Sequence, residues 1–438
     1  MKKKIILILF LTLFIFSFNY FIFHKIIADC DEIWNFGFSY NIAKGAIPYR
    51  DFNIVVLPLY LLLMAIPLRI FSNSLFIFHL FNAIYISIII AIISDNEKDI
   101  AIVLALFMII VNPIYGYNCF IVMLLILILY LQSKDYKYKE EIIGILLGCI
   151  LATKQNIGIV LFFPYIFHSK RKLKSILCYL VPITLVAGYL VINDALFECI
   201  DFCFLGLRNF SNNFLVTLPI LVVFDIVIIT YLIIKYRKTK DINYIYLACF
   251  QVINYPLFEI YHFIIGTLPV IYYLIVTEKN KYINYVFIIF PIIIILIVYV
   301  PRMINNGINP SSINNFKYRN VTDKATKEQN QLTEFISSNK DSRIFIFNFY
   351  SYFIKISLDK KLDKFDLINI GNMGADESKY TKDIDKICSN KKCIFIIDEK
   401  AFTTYTSQMN PIIRDYVLNN YDYCGKINSR DSYYCNKE

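Results

Sequence analysis

Charge is what this chain has least of. Asp, Glu, Lys and Arg make up 18% of its 438 residues, while 58% are hydrophobic. A soluble protein of this length carries more charge than that, so a chain solvated over its whole surface is excluded. A zinc-type cluster is missing as well, since neither the four His nor the eleven Cys fall into ligand spacing. No internal repeat is present, which speaks against the repeated halves of many transporters. The first apolar run, Ile5 to Ile27, lacks the small-residue exit of a cleaved signal peptide and is too long for a signal core. Asp29 before Cys30 is a poor lipoprotein site.

What is there is a succession of apolar runs of about 20 residues across the first three hundred positions. They are continuous rather than alternating, so they read as membrane-spanning helices and not barrel strands. The net charge of +10 is no nucleic-acid signal. Its excess Lys and Arg fall in short loops, where they set orientation. Lys2, Lys3 and Lys4 therefore place the N-terminus in the cytoplasm, with the first helix uncleaved. Cys119, Cys149, Cys178 and Cys249 lie within apolar runs, where Cys packs as a small hydrophobe. Abundant Ile, Lys, Asn and Tyr associate the chain with an AT-rich bacterial genome, and so with a bacterial plasma membrane.

Counting basic loops gives about eleven crossings. The expected spans are 5–27, 75–94, 100–112, 119–132, 142–153, 157–168, 175–193, 214–234, 243–255, 262–277 and 283–300. The run 54–71 is left out because it holds Pro58, Pro67 and Arg69, and letting it cross would put later basic loops outside. It is expected to lie along the outer interface or dip into it. Before it, residues 32–44 form a short helix with Trp34, Phe38 and Ile42 on one side and Gly45 as its stop. The expected architecture is an all-α polytopic membrane domain, 1–301, followed by a small extracytoplasmic α/β domain, 302–438. In the latter, 343–347, 366–370 and 393–397 read as buried strands, and 421–427 with 432–435 as a closing pair. Helices are expected at 326–338, 376–388 and 408–420. In an oxidising compartment Cys424 could pair with Cys435 and Cys388 with Cys393. Gly371-Asn372-Met373-Gly374 reads as a turn rather than a phosphate loop.

Chemistry concentrates just after the first helix, in Asp29-Cys30-Asp31-Glu32-Ile33-Trp34 and on through Gly45-Ala46-Ile47-Pro48-Tyr49-Arg50-Asp51-Phe52. Acids favour a helix start for dipole reasons alone. Adjacent Asp31 and Glu32 against lipid are costlier than capping requires, and carboxylates held there are usually functional. Either could take a proton from an acceptor hydroxyl during displacement at a sugar carbon. They could also help hold a divalent metal, although no second ligand set is evident; no other cofactor is indicated.

This first-loop run resembles that of GT-C membrane glycosyltransferases. The nearest group is that of protein mannosyltransferases, aminoarabinose transferases and RgtA/B/C/D-like bacterial relatives. The resemblance implies an acid of this loop as catalytic base, interfacial helices after it, and a polyprenyl-phosphate-linked sugar as donor. A second segment, Gly148 to Gly158, is similar to a Thr-Lys-Gln turn of bacterial members. There Lys154 would clamp the donor phosphate with Gln155 and Asn156 hydrogen bonding beside it; the plain alternative is a lysine snorkelling to headgroups. A third, Tyr255-Pro256-x-x-Glu259-x-Tyr261-His262, resembles a late loop in which His262 would contact the phosphate, or else merely satisfy a helix end. Arg50 is another phosphate partner, unless it simply pairs with Asp51. Trp34, Tyr49, Asp51, Asn118, Asn156 and Glu259 would complete the pocket. Many members carry a second acid after the third span; here Asn118 stands in that region. The expected partners are the lipid-linked donor, membrane lipids and a glycan, lipid or protein acceptor, with no nucleic acid. A surface-polysaccharide polymerase or ligase, or a polar-lipid transporter or flippase, would share the same setting.

Overall fold

The computed structural model describes residues 2–22, 30–94, 98–110, 116–206, 209, 215–216, 219–255, 257–278, 281–301, 311, 313–317, 319, 323–347, 351–366, 373–398 and 410–437. Helices dominate its first three hundred positions. α1 (Lys2–Ser17) continues as a π-helical turn to Ile22. Two short helices follow, α2 (Cys30–Ala43) and α3 (Leu59–Ile70). Then come α4 (Leu75–Ile93), α5 (Lys98–Ile110), α6 (Tyr117–Gln132), α7 (Lys139–Leu151), α8 (Gln155–His168), α9 (Lys172–Ile192) and the short α10 (Leu196–Ile200). α11 (Pro219–Thr239), α12 (Asn243–Phe250), α13 (Ile260–Glu278) and α14 (Lys281–Ile294) complete the bundle. Setting aside α2, α3 and α10, eleven helices among the described residues fall on the eleven expected spans. Five of them (α1, α4, α9, α11 and α13) are long and apolar enough to cross a membrane.

α3 takes up most of the run 54–71 and carries Pro67 in its last turn. Tyr60, Leu61, Met64, Ala65 and Leu68 are buried, while Leu63, Ile66 and Ile70 are exposed. A one-sided apolar helix of this length lies along an interface. α2 ends where expected, because Gly45 takes a φ of +85° that a side chain would resist.

The helices run in a consistent sense. The side chains of Tyr246 and Gln132 hydrogen bond, and Asn243 donates to the Tyr273 hydroxyl at 3.2 Å. The C-terminal ends of α6 and α13 thus lie near the start of α12, so their first turns share the opposite end, with α2. Gln132, Lys139, Lys174 and Lys235 mark the far end, where Glu141 pairs with Lys174 at 2.6 Å and Glu278 with Lys235 at 2.8 Å.

After the bundle come α15 (Asp323–Ser338), α16 (Ser351–Ser357), α17 (Lys379–Cys388) and α18 (Pro411–Asn420). In the bundle region a two-residue parallel pair joins β1 (Leu215–Val216) to β2 (Leu257–Phe258). The larger sheet holds β3 (Arg343–Phe347), β4 (Cys393–Asp398), β5 (Tyr421–Lys426) and β6 (Asp431–Asn436), in the order β3-β4-β6-β5. β3 and β4 are parallel, with Phe345 opposite Phe395; β6 runs antiparallel to both β4 and β5. Cys388 is joined to Cys393 and Cys424 to Cys435. Of the expected strand 366–370, Asp366 lies in irregular chain and the rest falls outside the described residues. The helix α16 was not expected; its Ser-Tyr-Phe-Ile-Lys-Ile-Ser sequence is too short to show a helical period.

This C-terminal region is fastened to α2 along its length. Phe36 meets Phe316 and Phe38 meets Tyr352, ring to ring. Asn41 exchanges two hydrogen bonds with Leu362, at 2.8 and 3.0 Å. Tyr40 and Lys44 both reach Asp359 Oδ1, at 2.9 and 2.5 Å, and Lys44 holds that carboxyl below its usual range.

Beneath this contact lies a charged cluster. Arg343 and Lys355 both meet Asp363 Oδ2, at 2.6 and 3.1 Å, and Lys355 reaches Asp366 at 2.5 Å. Burial, with Asp363 adding to it, pushes Asp366 up to about 7 against the pull of Lys355. Burial raises Asp363 too, but Lys355 and Arg343 outweigh it and the net shift is downward. In the folded chain Asp366 therefore keeps a proton that the unfolded chain releases near pH ~4. Its contribution to stability falls as pH rises from about 4 to 7. Asp363 acts oppositely, but only below about pH 4. The melting temperature is expected to decline across that upper window, and Asp366→Asn to flatten the decline in a thermal-shift series. A profile unaltered by the substitution would contradict this.

Candidate active site

Two clusters organise the α2 end of the bundle. The first is wholly buried. Glu32, in the first turn of α2, accepts from Arg319 Nη2 at 2.7 Å and faces His79 Nε2 at 2.5 Å, both through Oε1. Arg319 has no exposed surface and His79 is 1% exposed. The same guanidinium donates to the carbonyls of Asn19 and Tyr20 at the end of the first helix, and lies 5.4 Å over the Tyr20 ring. The Tyr20 hydroxyl closes the loop on the Lys317 carbonyl at 2.6 Å. One arginine from beyond the bundle thus ties together α1, α2 and, through Glu32, α4. Sequence reading named Glu32 but missed both Arg319 and His79. A histidine inside an apolar span was the available signal for the second; nothing local marks Arg319.

The second cluster joins two of the segments singled out in the sequence. Lys154 Nζ donates to Asn118 Oδ1 at 2.9 Å and lies 5.6 Å from the Tyr117 ring. Tyr117 N donates in turn to Asn35 Oδ1 at 3.2 Å. Asn35 follows Asp31 by one turn of α2. The first loop also bonds directly to the lysine turn. Leu59 N donates to the Ala152 carbonyl at 3.0 Å, and Gln155 Nε2 to those of Val55 and Cys203, at 3.2 and 2.8 Å. Gln155 is consequently a strut between chain segments. Asn156 Oδ1 accepts locally from Ile157 N at 3.0 Å.

Close helix packing sets the lysine turn. A Cβ on Gly158 would come 2.2 Å from Leu151 Cα, and one on Gly148 would come 2.2 Å from the Tyr179 carbonyl. Backbone cannot yield as a side chain tip can. Gly158→Ala should therefore push α8 from α7, cost about 1–3 kcal/mol of stability and displace Lys154. A melting curve matching the wild type would refute the close approach.

The remaining named residues are dispersed. Arg50 pairs with Asp51 at 2.9 Å and reaches the Asn193 carbonyl at 3.3 Å. Burial would raise the Asp51 carboxyl, but Arg50 and the Ile47 N–H overcome it and hold it low. Tyr49 adopts a φ of +69° and anchors the loop through its hydroxyl on the Val56 carbonyl at 2.7 Å. Trp34 packs half-buried against the core. His262 meets Glu259 at 2.8 Å at the start of α13, at the α2 end of the bundle but with no described bond to Lys154. Asp31 lies in α2, but its side chain is outside the described residues, as are Asp29, Pro256, Gly371 and Asn372. Gly374 packs against Asp201, whose Oδ1 accepts from Ala375 N at 2.9 Å and whose Oδ2 pairs with Lys379. Among the described residues no three His, Cys, Asp or Glu side chains gather as a metal would need.

Comparison with known proteins finds a likeness by structure and none by sequence. No family model and no curated protein matches the chain by sequence. By structure it overlays ArnT from Cupriavidus metallidurans, crystallised bound to undecaprenyl phosphate. The TM-score is 0.56 at 11% identity, over 99% of this chain and 98% of that one. The chain has the GT-C fold. A looser overlay, from which nothing further is drawn, is with the oligosaccharyltransferase of Archaeoglobus fulgidus tethered to an acceptor peptide, at TM-score 0.42 and 10% identity, covering 99% of this chain and 74% of that one. The GT-C likeness spans the C-terminal α/β region as well as the bundle. It agrees with the GT-C fold expected from the first loop.

Proposed function

We propose that this GT-C protein transfers a sugar from a polyprenyl-phosphate-linked donor to an acceptor on the extracytoplasmic face. The observation that carries the reading is the junction of the first loop with the lysine turn, through Lys154, Asn118, Tyr117 and Asn35. It lies one helical turn from Asp31, in a fold shared with a protein that binds undecaprenyl phosphate. Basic loops at the end opposite α2 favour a cytoplasmic N-terminus and put α2 outside.

In this reading Asp31 takes the proton from the acceptor hydroxyl as that oxygen attacks the sugar's anomeric carbon. The bond to phosphate breaks on the far side, the sugar inverts, and polyprenyl phosphate departs. Lys154 and His262 stabilise the phosphate as its charge grows. Glu32, engaged by Arg319 and His79, holds α2 in place instead of acting as base. Arg50, bound to Asp51, shapes the loop. The region 302–438 helps receive the acceptor, whether glycan, lipid or protein.

The test uses the purified protein in proteoliposomes with radiolabelled polyprenyl-phosphate sugar and a cell-envelope acceptor extract. Label should leave the lipid donor in the presence of wild-type protein, and none should be taken from a nucleotide sugar. Passage of intact labelled donor across the bilayer without transfer would replace this reading with a flippase. Full transfer by both Asp31→Asn and Glu32→Gln would end the catalytic assignment.

A further inference from the structure

Asp225 is an acid in the middle of apolar α11, only 6% exposed. Among the described residues its partner is Asn254, whose Nδ2 donates to Asp225 Oδ1 at 2.8 Å, and no basic side chain pairs with it. A carboxylate left in this setting without a compensating charge is costly.

Its neighbours point toward what supplies that charge. The carboxylate fixes the Asn254 amide, because the opposite orientation would set oxygen against oxygen. Asn254 Oδ1 must therefore face away from Asp225. Gln251 is fixed in the same way, since its Nε2 donates to the carbonyls of Leu247 and Gly266 at 3.2 and 3.0 Å. Its Oε1 is turned outward too. Both oxygens lack a hydrogen-bond partner, and the residues are 1% and 2% exposed. Both flank the bare Cα of Gly266, where a Cβ would stand 3.1 Å from Gln251 Oε1 and 3.2 Å from Asn254 Oδ1.

Two unpartnered amide oxygens that share the bare side of a glycine, with a carboxylate behind the Asn254 amide, make a receptacle for something positive. We propose that this notch binds a monovalent cation of sodium size. An all-oxygen set suits a hard cation. The single negative charge of Asp225 balances one positive charge, whereas a divalent ion would leave a net charge in the bundle. Waters would complete the coordination. The notch lies six residues, or about 9 Å, into α13 from its start. His262 is one turn nearer that end, paired with the partly exposed Glu259. A bridging water would satisfy the two oxygens as well, with a proton then neutralising Asp225 in place of the cation; only the cation makes stability depend on which salt is present.

The experiment reads ion-specific stability, independent of any transfer activity. The full chain in nanodiscs is melted in sodium chloride and, at equal ionic strength, in lithium, potassium and choline chloride. Sodium should raise the melting temperature by about 2 °C or more over choline, as a ligand of the folded state does. Asp225→Asn and Gly266→Ala should lose that difference. Gln251→Leu, which removes an oxygen without crowding the backbone, should lose it too and stands in if the glycine variant does not fold. Equal melting temperatures in all four salts would mean a water only and overturn the proposal. So would a sodium shift retained in full by Asp225→Asn.

Discussion

Asp31→Asn is expected to lower kcat for sugar transfer by about 10²–10⁴-fold, the usual worth of a positioned general base. The donor KM should change little. Asparagine keeps the shape of the side chain and loses only its ability to take a proton, so the folded protein should melt as the wild type does. Glu32→Gln should behave differently although the residues are adjacent. Glu32 Oε1 already serves Arg319 and His79. An amide there cannot balance a guanidinium with no exposed surface. Its primary effect is lost stability, with activity falling as a consequence. The pair of measurements separates the roles, because rate should fall without melting temperature for Asp31 and with it for Glu32. Full transfer by Asp31→Asn, beside a Glu32→Gln protein that melts normally and transfers nothing, would exchange the two roles.

Much of this arrangement is legible from the chain alone, and the part that is not has a physical reason. Spans announce themselves by continuous apolar length and by the basic loops between them. α3 betrays itself by Pro67 and Arg69. β3 and β4 emerge from Arg343-Ile344-Phe345-Ile346-Phe347 and from Cys393 onward because a fully buried strand is a short apolar run bounded by polar residues. The junction between Lys154 and the first loop was expected on one side of the membrane, but its intermediaries, Asn35 and Tyr117, were not. They act through a backbone N–H and an amide oxygen that could equally have faced water. Arg319 is harder still. It lies 287 positions from Glu32, and no periodicity connects residues that meet only once the last helix has returned the chain to its start. Asp225 carried a readable signal, a lone acid in an apolar span, but its meaning needs Gln251, Asn254 and Gly266, which only packing assembles.

Arg319→Met is the substitution expected to harm stability most. Burying a charged pair is expensive, and the pair survives because each partner compensates the other and the remaining donors find carbonyls. Methionine fills much of the space but takes the guanidinium away from Glu32. It also withdraws the donors that serve Asn19 and Tyr20 at the end of the first helix. A loss of about 3–5 kcal/mol follows, the usual cost of removing one partner of a buried ion pair. Arg319→Lys should recover only part of it, since an ammonium cannot span the Glu32 carboxylate and two carbonyls as the planar fork does. The decisive comparison is the double variant Glu32→Met with Arg319→Met. Removing both charges takes away the desolvation cost along with the attraction, so the double variant should melt above the Arg319→Met single variant. A double-mutant cycle measures that coupling directly. If the single and double variants melt together, or Arg319→Met melts as the wild type does, Arg319 does not hold α2 to the bundle. The adjoining Asp31 would then owe its position to contacts elsewhere.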